Sequence, residues 1–266
     1  MPGKSTPKQR TDRHGGHAPV GYDPTAYPRF FVTVDIVILT IVDDRLEVLL
    51  VRRRNEPHAG EWALPGGFVI GAGDGADGVG VDATLDVAAA RELLEETGIT
   101  APARLEQLGA YGDAGRDARG NVVSIAYSAI VRRLPEPVAG GDAADSGLRP
   151  VDDVVEGRIR LAFDHGRIVA DAVERVRSQL QSTDLATAFV DEPFTLTELR
   201  RVYETIWGEE IDAGNFRRSL IARGEVFVEP TGRHGGPGPE GGRPPELFRT
   251  VGPWPTSPVR RPRRPR

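Results

Sequence analysis

The chain has 266 residues, of which 39% are hydrophobic, and it carries a formal net charge of −5 at pH 7. It contains no cysteine, which excludes disulfide bonds and thiolate metal sites, and no apolar run approaches the roughly 20 residues of a transmembrane helix. Residues 1–28 are polar and rich in glycine and proline, unlike a secretory signal. We therefore expect a cytoplasmic protein without a membrane partner.

The charge is distributed unevenly along the chain. From Asp191 onward there are 13 arginines and 11 acidic residues, so this region is slightly basic although the whole chain is acidic. The length allows one or two domains. An acidic first part and a mildly basic second part suggest two regions with different functions.

The first part of the sequence predicts several strands and two helices. Runs of β-branched and aromatic residues, or alternating patterns, predict strands at 30–42, 46–51, 105–111 and 122–131. Helices are predicted at about 82–97 and 162–181, the second from its apolar spacing. Residues 134–152 contain proline, glycine and aspartate throughout and are predicted to be irregular. This order favours a mixed sheet packed between helices.

The helix predicted at 82–97 contains an acidic motif. Residues 91–98 read RELLEETG, and Glu92, Glu95 and Glu96 share one face because positions i, i+3 and i+4 are neighbours on a helix. Their carboxylates, together with phosphate oxygens, suit Mg²⁺ or Mn²⁺. A glycine-rich turn at 64–67 precedes the helix and suits a phosphate group. The alternative is a solvated acidic helix face, which is common for a loose glutamate cluster.

These residues resemble the Nudix box, whose pattern is Gly, five residues, Glu, seven residues, then Arg-Glu-hydrophobic-x-Glu-Glu-x-Gly-hydrophobic. Residues 91–99 match the second half at every position. The first half departs, since Ala83 stands where the pattern has glutamate and fifteen residues separate it from Gly67 where the pattern has five. The additional residues, around 71–80, are rich in glycine and aspartate and favour a flexible loop.

The resemblance implies roles for particular residues. It implies a metal site at Glu92, Glu95 and Glu96 and a catalytic set formed by Glu92, Glu96 and Arg91. Arg91 is expected to hold the carboxylates by an ion pair rather than to touch a substrate. The residues expected at a bound ligand are Gly66, Gly67 and Arg53.

The second part of the sequence predicts a winged helix. Thr195 and Glu198 form a capping box that begins a helix ending near Trp207, and a second helix runs from Asp212 or Asn215 to about residue 222. Two short helices joined by a glycine-containing turn are typical of a helix-turn-helix. Residues 226–228 and 246–249 are predicted to pair as a hairpin around a loop at 230–245. Any small three-element helical bundle would show similar spacing.

The second helix of such a motif enters the major groove of double-stranded DNA with its N-terminal part. The residues that this placement brings within reach of bases or phosphates are Asn215, Arg217, Arg218 and Ser219.

Together, the two parts resemble the Nudix-related transcriptional regulators of NAD metabolism. The similarity covers roughly residues 28–252 and is carried by the box and by the segments 28–51, 62–69, 112–120, 161–165 and 215–218. It implies an α+β protein with a Nudix α/β/α sandwich around a mixed sheet, followed by a winged helix-turn-helix domain. The expected divisions are a disordered segment 1–28, a Nudix domain 29–185, a winged helix 190–252 and a disordered arginine- and proline-rich tail 253–266.

Two functions agree with these patterns. The first is a homodimeric transcriptional regulator whose Nudix domain binds ADP-ribose or a similar nucleotide, loosening the binding of the winged helices to a palindromic operator. The second is a Mg²⁺-dependent pyrophosphohydrolase of the ADP-ribose pyrophosphatase type with an accessory C-terminal domain. The intact carboxylates favour the enzyme, whereas the second domain and the altered first half of the box favour the regulator.

Overall fold

A computed structural model describes residues 22–71, 81–102, 105–135, 139–141, 143–221, 227–236, 244–252 and 257–262. The chain divides into two compact units, residues 1–30 and 31–266. In the described part of the first unit, Pro24–Ala26 forms a 3-10 turn that begins at Asp23, whose side chain accepts a hydrogen bond from the Thr25 amide at 2.8 Å. This turn lies within the segment 1–28 that was expected to be disordered, and residues 1–21 lie outside the described residues.

The second unit contains a seven-stranded mixed sheet. The strand order is β3-β2-β1-β6-β5, with β4 paired to β1 and β7 paired to β2. The pairing of β1 with β6 is parallel, and the other pairings are antiparallel. The strands are β1 (Phe31–Val42), β2 (Arg45–Arg53), β3 (Trp62–Ala63), β4 (Gly66–Phe68), β5 (Leu105–Tyr111), β6 (Val122–Ile130) and β7 (Ala143–Pro150).

Helices cover the sheet, as the sequence predicted. The helices of this part are α1 (Leu85–Thr97), α2 (Val151–Val155) and α3 (His165–Gln179). Strand β1 is buried on both faces, so Ile36 belongs to the same apolar cluster as Leu93 of α1, whereas Val37 belongs to the cluster that contains Val169 of α3. This confirms the mixed sheet between helices and explains why β1 reads as an almost continuous apolar run.

Helix α1 has local signals at both ends. The Thr84 hydroxyl accepts a hydrogen bond from the Val87 amide at 3.2 Å, and Gly98 ends the helix in the left-handed conformation with φ +70°. The helix therefore begins three residues after the predicted start, because Asp82 pairs with Arg91 instead of entering the helix.

The prediction that residues 134–152 are irregular is wrong for residues 143–152. Strand β7 pairs with β2 over most of its length, and α2 follows it directly. The sequence of β7 has few strand-forming residues, but β2 supplies the backbone partners, and backbone pairing does not depend on side-chain identity.

The second part forms a winged helix. Helix α4 (Leu196–Trp207) begins with the predicted capping box, in which the Thr195 hydroxyl accepts from the Glu198 amide at 3.1 Å and the Glu198 carboxylate accepts from the Thr195 amide at 2.7 Å. Helix α5 (Ala213–Ile221) begins after Asp212, whose carboxylate accepts from the Asn215 amide at 2.8 Å.

The wing is longer than predicted. Strands β8 (Val228–His234) and β9 (Glu246–Thr250) pair antiparallel, so β8 extends into the segment 230–245 that was expected to be a loop. Backbone bonds to β9 hold this polar, glycine-containing segment in place. The predicted hairpin start at residue 226 lies outside the described residues, as do 222–225 and 237–243.

Part of the C-terminal segment is packed, which differs from the expected disorder of residues 253–266. Ser257 and Val259 are buried, and the hydroxyl groups of Ser257 and Tyr203 lie 3.2 Å apart. The Arg261 Nε donates to a carboxylate oxygen of Glu209 at 3.2 Å. Contacts with Tyr203 of α4 and with Glu209 thus hold this part of the segment in place, while 253–256 and 263–266 lie outside the described residues.

The two parts of the second unit share one apolar core, which includes Val173 and Val176 of α3 and Ile206 and Trp207 of α4. The Trp207 Nε1 also donates to the carbonyl of Arg177 at 3.2 Å. Among the described residues, no helix is long and apolar enough to cross a membrane.

Candidate functional site

A cavity of about 360 Å³ lies at the sheet edge where α1, the glycine-rich turn and the start of α3 meet. The predicted residues that line it are Arg53, Gly66, Gly67, Glu92, Glu95 and Glu96. The fold therefore brings the predicted ligand-binding and metal-binding residues to one place. It also brings residues that the sequence analysis did not single out.

Arg91 connects two acidic side chains of α1 with Asp82, which precedes the helix. Its Nη1 lies 2.8 Å from Glu92 Oε1 and 3.1 Å from Glu95 Oε2, and its Nη2 lies 2.8 Å from Asp82 Oδ2. The Nη2 also donates to the carbonyl of Phe68 at 3.1 Å. Arg91 thus holds two carboxylates of the motif beside β4.

The glycines of β4 pack directly on these carboxylates. The Gly66 amide donates to Glu96 Oε2 at 2.9 Å. A Cβ added at Gly67 would lie only 2.4 Å from Glu92 Oε1. The close approach of the backbone to the Glu92 carboxylate leaves no room for a side chain at Gly67, while at Gly66 the backbone of β1 leaves none.

Burial changes the ionisation of this cluster. Burial raises the pKa of Glu92 above its ordinary value, and the hydrogen bond and charge of Arg91 only partly oppose this effect. The hydrogen bond from Arg91 lowers the pKa of Asp82, with burial opposing it. The charged form of Glu92 is therefore less favourable here than in water.

The donor chemistry of this wall fits a hard divalent cation. The groups are carboxylate oxygens, which Mg²⁺ and Mn²⁺ prefer as ligands. Within the described ranges, however, no three acidic or histidine side chains already converge as a metal cluster. Arg91 pairs with Glu92 and Glu95, and the Gly66 amide donates to Glu96.

The floor of the cavity contains a second polar cluster around Asp35. The Arg116 Nη2 lies 2.6 Å from Asp164 Oδ1 and 3.8 Å from Asp35 Oδ2. The His165 Nδ1 accepts from the Leu64 amide at 2.9 Å, and its Nε2 lies 3.6 Å from Asp35 Oδ1. Because Nδ1 accepts, the neutral ring carries its proton on Nε2, facing Asp35.

Burial lowers the pKa of His165, although Asp35 and Asp164 act in the opposite direction. The histidine is therefore neutral near pH 7. The Ser124 hydroxyl also donates to Asp35, so this carboxylate is held from several sides beneath the cavity.

An aromatic side chain, Phe163, completes the lining next to Arg53 and Arg119. Its backbone has φ +53°. The guanidinium carbons of Arg53 and Arg119 lie 4.9 Å and 5.5 Å from the ring centroid.

The sequence analysis missed Asp35, Arg116, Arg119, Phe163 and His165. A signal for Asp35 exists, since a single acid interrupts an apolar strand. Arg116 and Arg119 belong to a short charged loop between two strands, which is a common location of binding residues. Phe163 and His165 lie in the segment 161–165 that carries part of the family resemblance, but only the tertiary fold brings them to the cavity.

The predicted DNA-contacting residues lie on α5. Phe216 and Leu220 of this helix are buried, whereas Asn215, Arg217 and Arg218 are exposed. The Arg217 Nη2 lies 3.5 Å from Glu246 Oε2 of the wing.

Ser219 differs from the other three residues. It is half-buried, and its hydroxyl donates to the carbonyl of Phe216 at 2.8 Å. Its side chain is thus engaged within α5, while the three neighbouring polar side chains form the exposed face.

Comparison with known proteins assigns both parts of the chain to family models. Residues 32–172 match the NUDIX domain model, and residues 186–250 match the NrtR DNA-binding winged helix domain model. The chain is 34% identical over 205 residues to a protein of Acinetobacter baylyi described as an ADPR responsive transcriptional repressor NtrR. That match covers 77% of this chain and 78% of the relative.

Two solved structures are also similar. The Shewanella oneidensis NrtR complexed with a 27mer DNA is 33% identical, with a TM-score of 0.67 over 83% of this chain and 93% of that one. The NUDIX domain of the same NrtR complexed with ADP ribose is 35% identical, with a TM-score of 0.51 over 59% of this chain and 95% of that one.

Proposed function

The chain belongs to the NUDIX family and carries an NrtR winged helix domain, and on this premise we propose that it is a transcriptional regulator controlled by ADP-ribose or a related nucleotide. The cavity of the first part is the proposed nucleotide site, and α5 is the proposed DNA-reading helix. The observation that carries the proposal is their presence in one folded unit with a shared core. A separate hydrolase would not need the exposed arginines of α5.

We propose that α5 enters the major groove of operator DNA. Arg217 and Arg218 are suited to guanine edges or phosphates, and Asn215 is suited to adenine. A two-fold homodimer would then bind a palindromic site with half-sites about one helical turn apart. We propose a smaller role for Ser219, because its hydroxyl already donates a hydrogen bond to the backbone of α5.

We propose that the nucleotide binds with its diphosphate near the Gly66–Gly67 turn, together with Mg²⁺ or Mn²⁺. Glu92, Glu95 and Glu96 would hold the cation. A bound cation would neutralise a diphosphate and lower the pKa of a water molecule. The chain's own contribution is to fix the carboxylates through Arg91 and the Gly66 amide.

The two proposed domains are residues 29–185 and 190–252, close to the spans 32–172 and 186–250 that the family models match. A cytoplasmic location agrees with a DNA-binding protein. The domain boundaries and the cytoplasmic location are proposals for this chain.

A mobility-shift experiment tests the regulator. DNA from upstream of its own gene is mixed with the protein, with and without ADP-ribose, and we expect binding that ADP-ribose weakens. The double variant Arg217→Ala/Arg218→Ala should lose specific DNA binding and keep its affinity for ADP-ribose. A matched control, Arg158→Ala/Arg175→Ala, removes two exposed arginines from the first part and should shift DNA as the wild type does. If both double variants shift the DNA to the same extent, α5 is not the helix that reads the DNA.

The second candidate function is hydrolysis of ADP-ribose. The observation that favours it is that all three box glutamates line the cavity. We expect slow release of AMP that stops in Glu96→Gln or Glu92→Gln. Turnover near the ordinary enzyme value of about 10 per second would make the protein an enzyme first and a regulator second.

A further inference from the structure

The segment that leads into α3, residues 161–165, is held at both ends. The Ala162 amide donates to the carbonyl of Trp62 at 2.8 Å. Three residues later, the buried His165 ring accepts the Leu64 amide at 2.9 Å. Both anchors lie on the chain between β2 and β4, so the segment is fixed against one wall of the cavity.

Between these anchors, Phe163 has a left-handed backbone conformation. Its φ is +53°, which is a genuine outlier for a residue with a bulky side chain. Glycine would adopt the same conformation without steric strain. Strained residues persist where the surrounding structure fixes them, and they concentrate at ligand sites. Since its ring lines the cavity, the strained backbone places an aromatic surface there.

Other flat groups lie around this ring. The guanidinium carbons of Arg53 and Arg119 lie 4.9 Å and 5.5 Å from the Phe163 ring centroid. The guanidinium carbon of Arg119 also lies 4.9 Å from the ring of Phe68. Aromatic rings and guanidinium planes are the groups on which proteins stack nucleobases.

The cavity therefore has two chemically different walls. The wall of β4 and α1 presents glycine backbone and three carboxylates, which suit a diphosphate with its cation. The wall at Phe163 presents an aromatic ring and two cations, which suit a π-system. A ligand that uses both walls must carry a diphosphate and an aromatic base.

We propose that Phe163 is the stacking platform for the base of the nucleotide, with Arg53 and Arg119 beside it. This proposal rests on the proposed function and deepens it, because it assigns the recognition of the nucleotide base to one side chain of the cavity. The ring, and not the apolar volume of the side chain, is what the site requires.

Calorimetric titration of full-length variants tests the platform. Phe163→Leu keeps apolar volume but removes the ring, and Phe163→Gly removes the side chain while allowing the positive φ. Phe163→Tyr retains the ring. The matched control is Phe30→Leu, since Phe30 is an exposed aromatic residue that does not line the cavity. Each variant is titrated with ADP-ribose and with ribose 5-phosphate, which has no base.

We expect Phe163→Leu and Phe163→Gly to weaken ADP-ribose binding by about 5- to 150-fold, the range reported by alanine substitution for base–aromatic stacking. Phe163→Tyr and Phe30→Leu should bind as the wild type does, and the affinity for ribose 5-phosphate should not change in any variant. Stacking should also reduce the ultraviolet absorption of the adenine in the wild type but not in Phe163→Leu.

Two results would overturn the proposal in different ways. Wild-type affinity for ADP-ribose in both Phe163→Leu and Phe163→Gly would remove the platform and leave the proposed function standing. Wild-type protein that binds neither ADP-ribose nor ribose 5-phosphate would remove the proposed function together with the platform.

Discussion

At the scale of single residues, Gly66 and Gly67 are neighbours with different structural constraints. A Cβ at Gly66 would lie 2.2 Å from the carbonyl oxygen of Val34, which belongs to the backbone of β1. A Cβ at Gly67 would instead meet the carboxylate of Glu92 at 2.4–2.6 Å. A backbone atom in a paired strand cannot move easily, whereas the end of a glutamate side chain can.

Gly66→Ala and Gly67→Ala should therefore have different effects. We expect Gly66→Ala to lower the free energy of unfolding by about 1–3 kcal/mol, as overpacking does. Gly67→Ala should lower the free energy of unfolding by less than about 1 kcal/mol. It should nevertheless weaken the Mg²⁺-dependent binding of ADP-ribose, because the added methyl group displaces the Glu92 carboxylate. Thermal unfolding and calorimetric titration measure the two effects. Equal loss of stability in both variants would show that Glu92 cannot move.

His165 provides a pH dependence whose sign follows from its burial. Burial lowers its pKa below the ordinary value of 6.5, against the charges of Asp35 and Asp164 and together with those of Arg116 and Arg53. As the pH falls, His165 of the unfolded chain therefore becomes protonated at about pH 6.5, whereas His165 of the native protein becomes protonated only at a lower pH. Stability is complete above this value and is lost as the pH falls toward the lowered pKa.

The variant His165→Gln should remove this dependence. Glutamine can accept from the Leu64 amide and donate toward Asp35, but it does not titrate. Between about pH 7.5 and 5.5 the free energy of unfolding of the wild type should fall by up to about 1.4 kcal/mol per pH unit relative to the variant. Chemical denaturation at several pH values measures the difference. Parallel curves would mean that the pKa of His165 is the same in the folded and the unfolded protein, and that burial does not lower it.

At the scale of elements, local sequence signals predicted the ends of helices α1 and α4 better than they predicted strands β4 and β7. Helix α4 begins with its capping box, and α1 ends at its glycine cap, because these signals involve residues within one turn of each other. Strand β4 has only three residues, Gly66–Phe68, and β7 lacks a strand pattern. Both exist because a neighbouring strand offers backbone partners.

The capping box of α4 gives a direct test of element stability. Thr195→Ala removes the acceptor of the Glu198 amide and should lower the free energy of unfolding by about 1 kcal/mol, or the melting temperature by about 2–4 °C. Thr195→Ser keeps the hydroxyl group and serves as the control. Thermal unfolding is the measurement, and an unchanged melting temperature in Thr195→Ala would show that the helix start frays in solution.

At the scale of the molecule, α3 connects the cavity with the winged helix. Its first residue, His165, lies at the cavity floor. Near its other end, the Arg177 Nε donates to the carbonyl of Ile206 at 3.0 Å, and the Arg177 carbonyl accepts from Trp207 at 3.2 Å. One element thus reaches from the proposed nucleotide site to α4 of the winged helix, the helix that precedes the proposed DNA-reading helix α5.

The shared core predicts that the two parts unfold together. Calorimetry should show one transition with equal calorimetric and van't Hoff enthalpies. Trp207→Ala should lower the free energy of unfolding of the whole unit by about 3–5 kcal/mol. The reason is that Trp207, the last residue of α4, is buried in the core that α4 shares with α3. Trp207→Phe, the control, loses only part of this contact. Two separate transitions in the wild type would contradict a common core.

The sequence by itself determined the features whose causes lie close together in the chain. The carboxylates of α1 share a face because of helical periodicity, the capping box needs four consecutive residues, and β1 is readable from its apolar run. The family pattern in residues 91–99 and the helix-turn-helix spacing then indicated a nucleotide site and a DNA-reading helix.

Only the tertiary structure decided the rest. The pairing of β2 with β7 and the contact between Asp35 and His165 join residues that are 90 or more positions apart. The positive φ of Phe163 depends on anchors supplied by a distant strand and turn. Such features arise from backbone pairing and packing between remote segments, which depend on how the chain folds and leave no periodic or local pattern in the sequence.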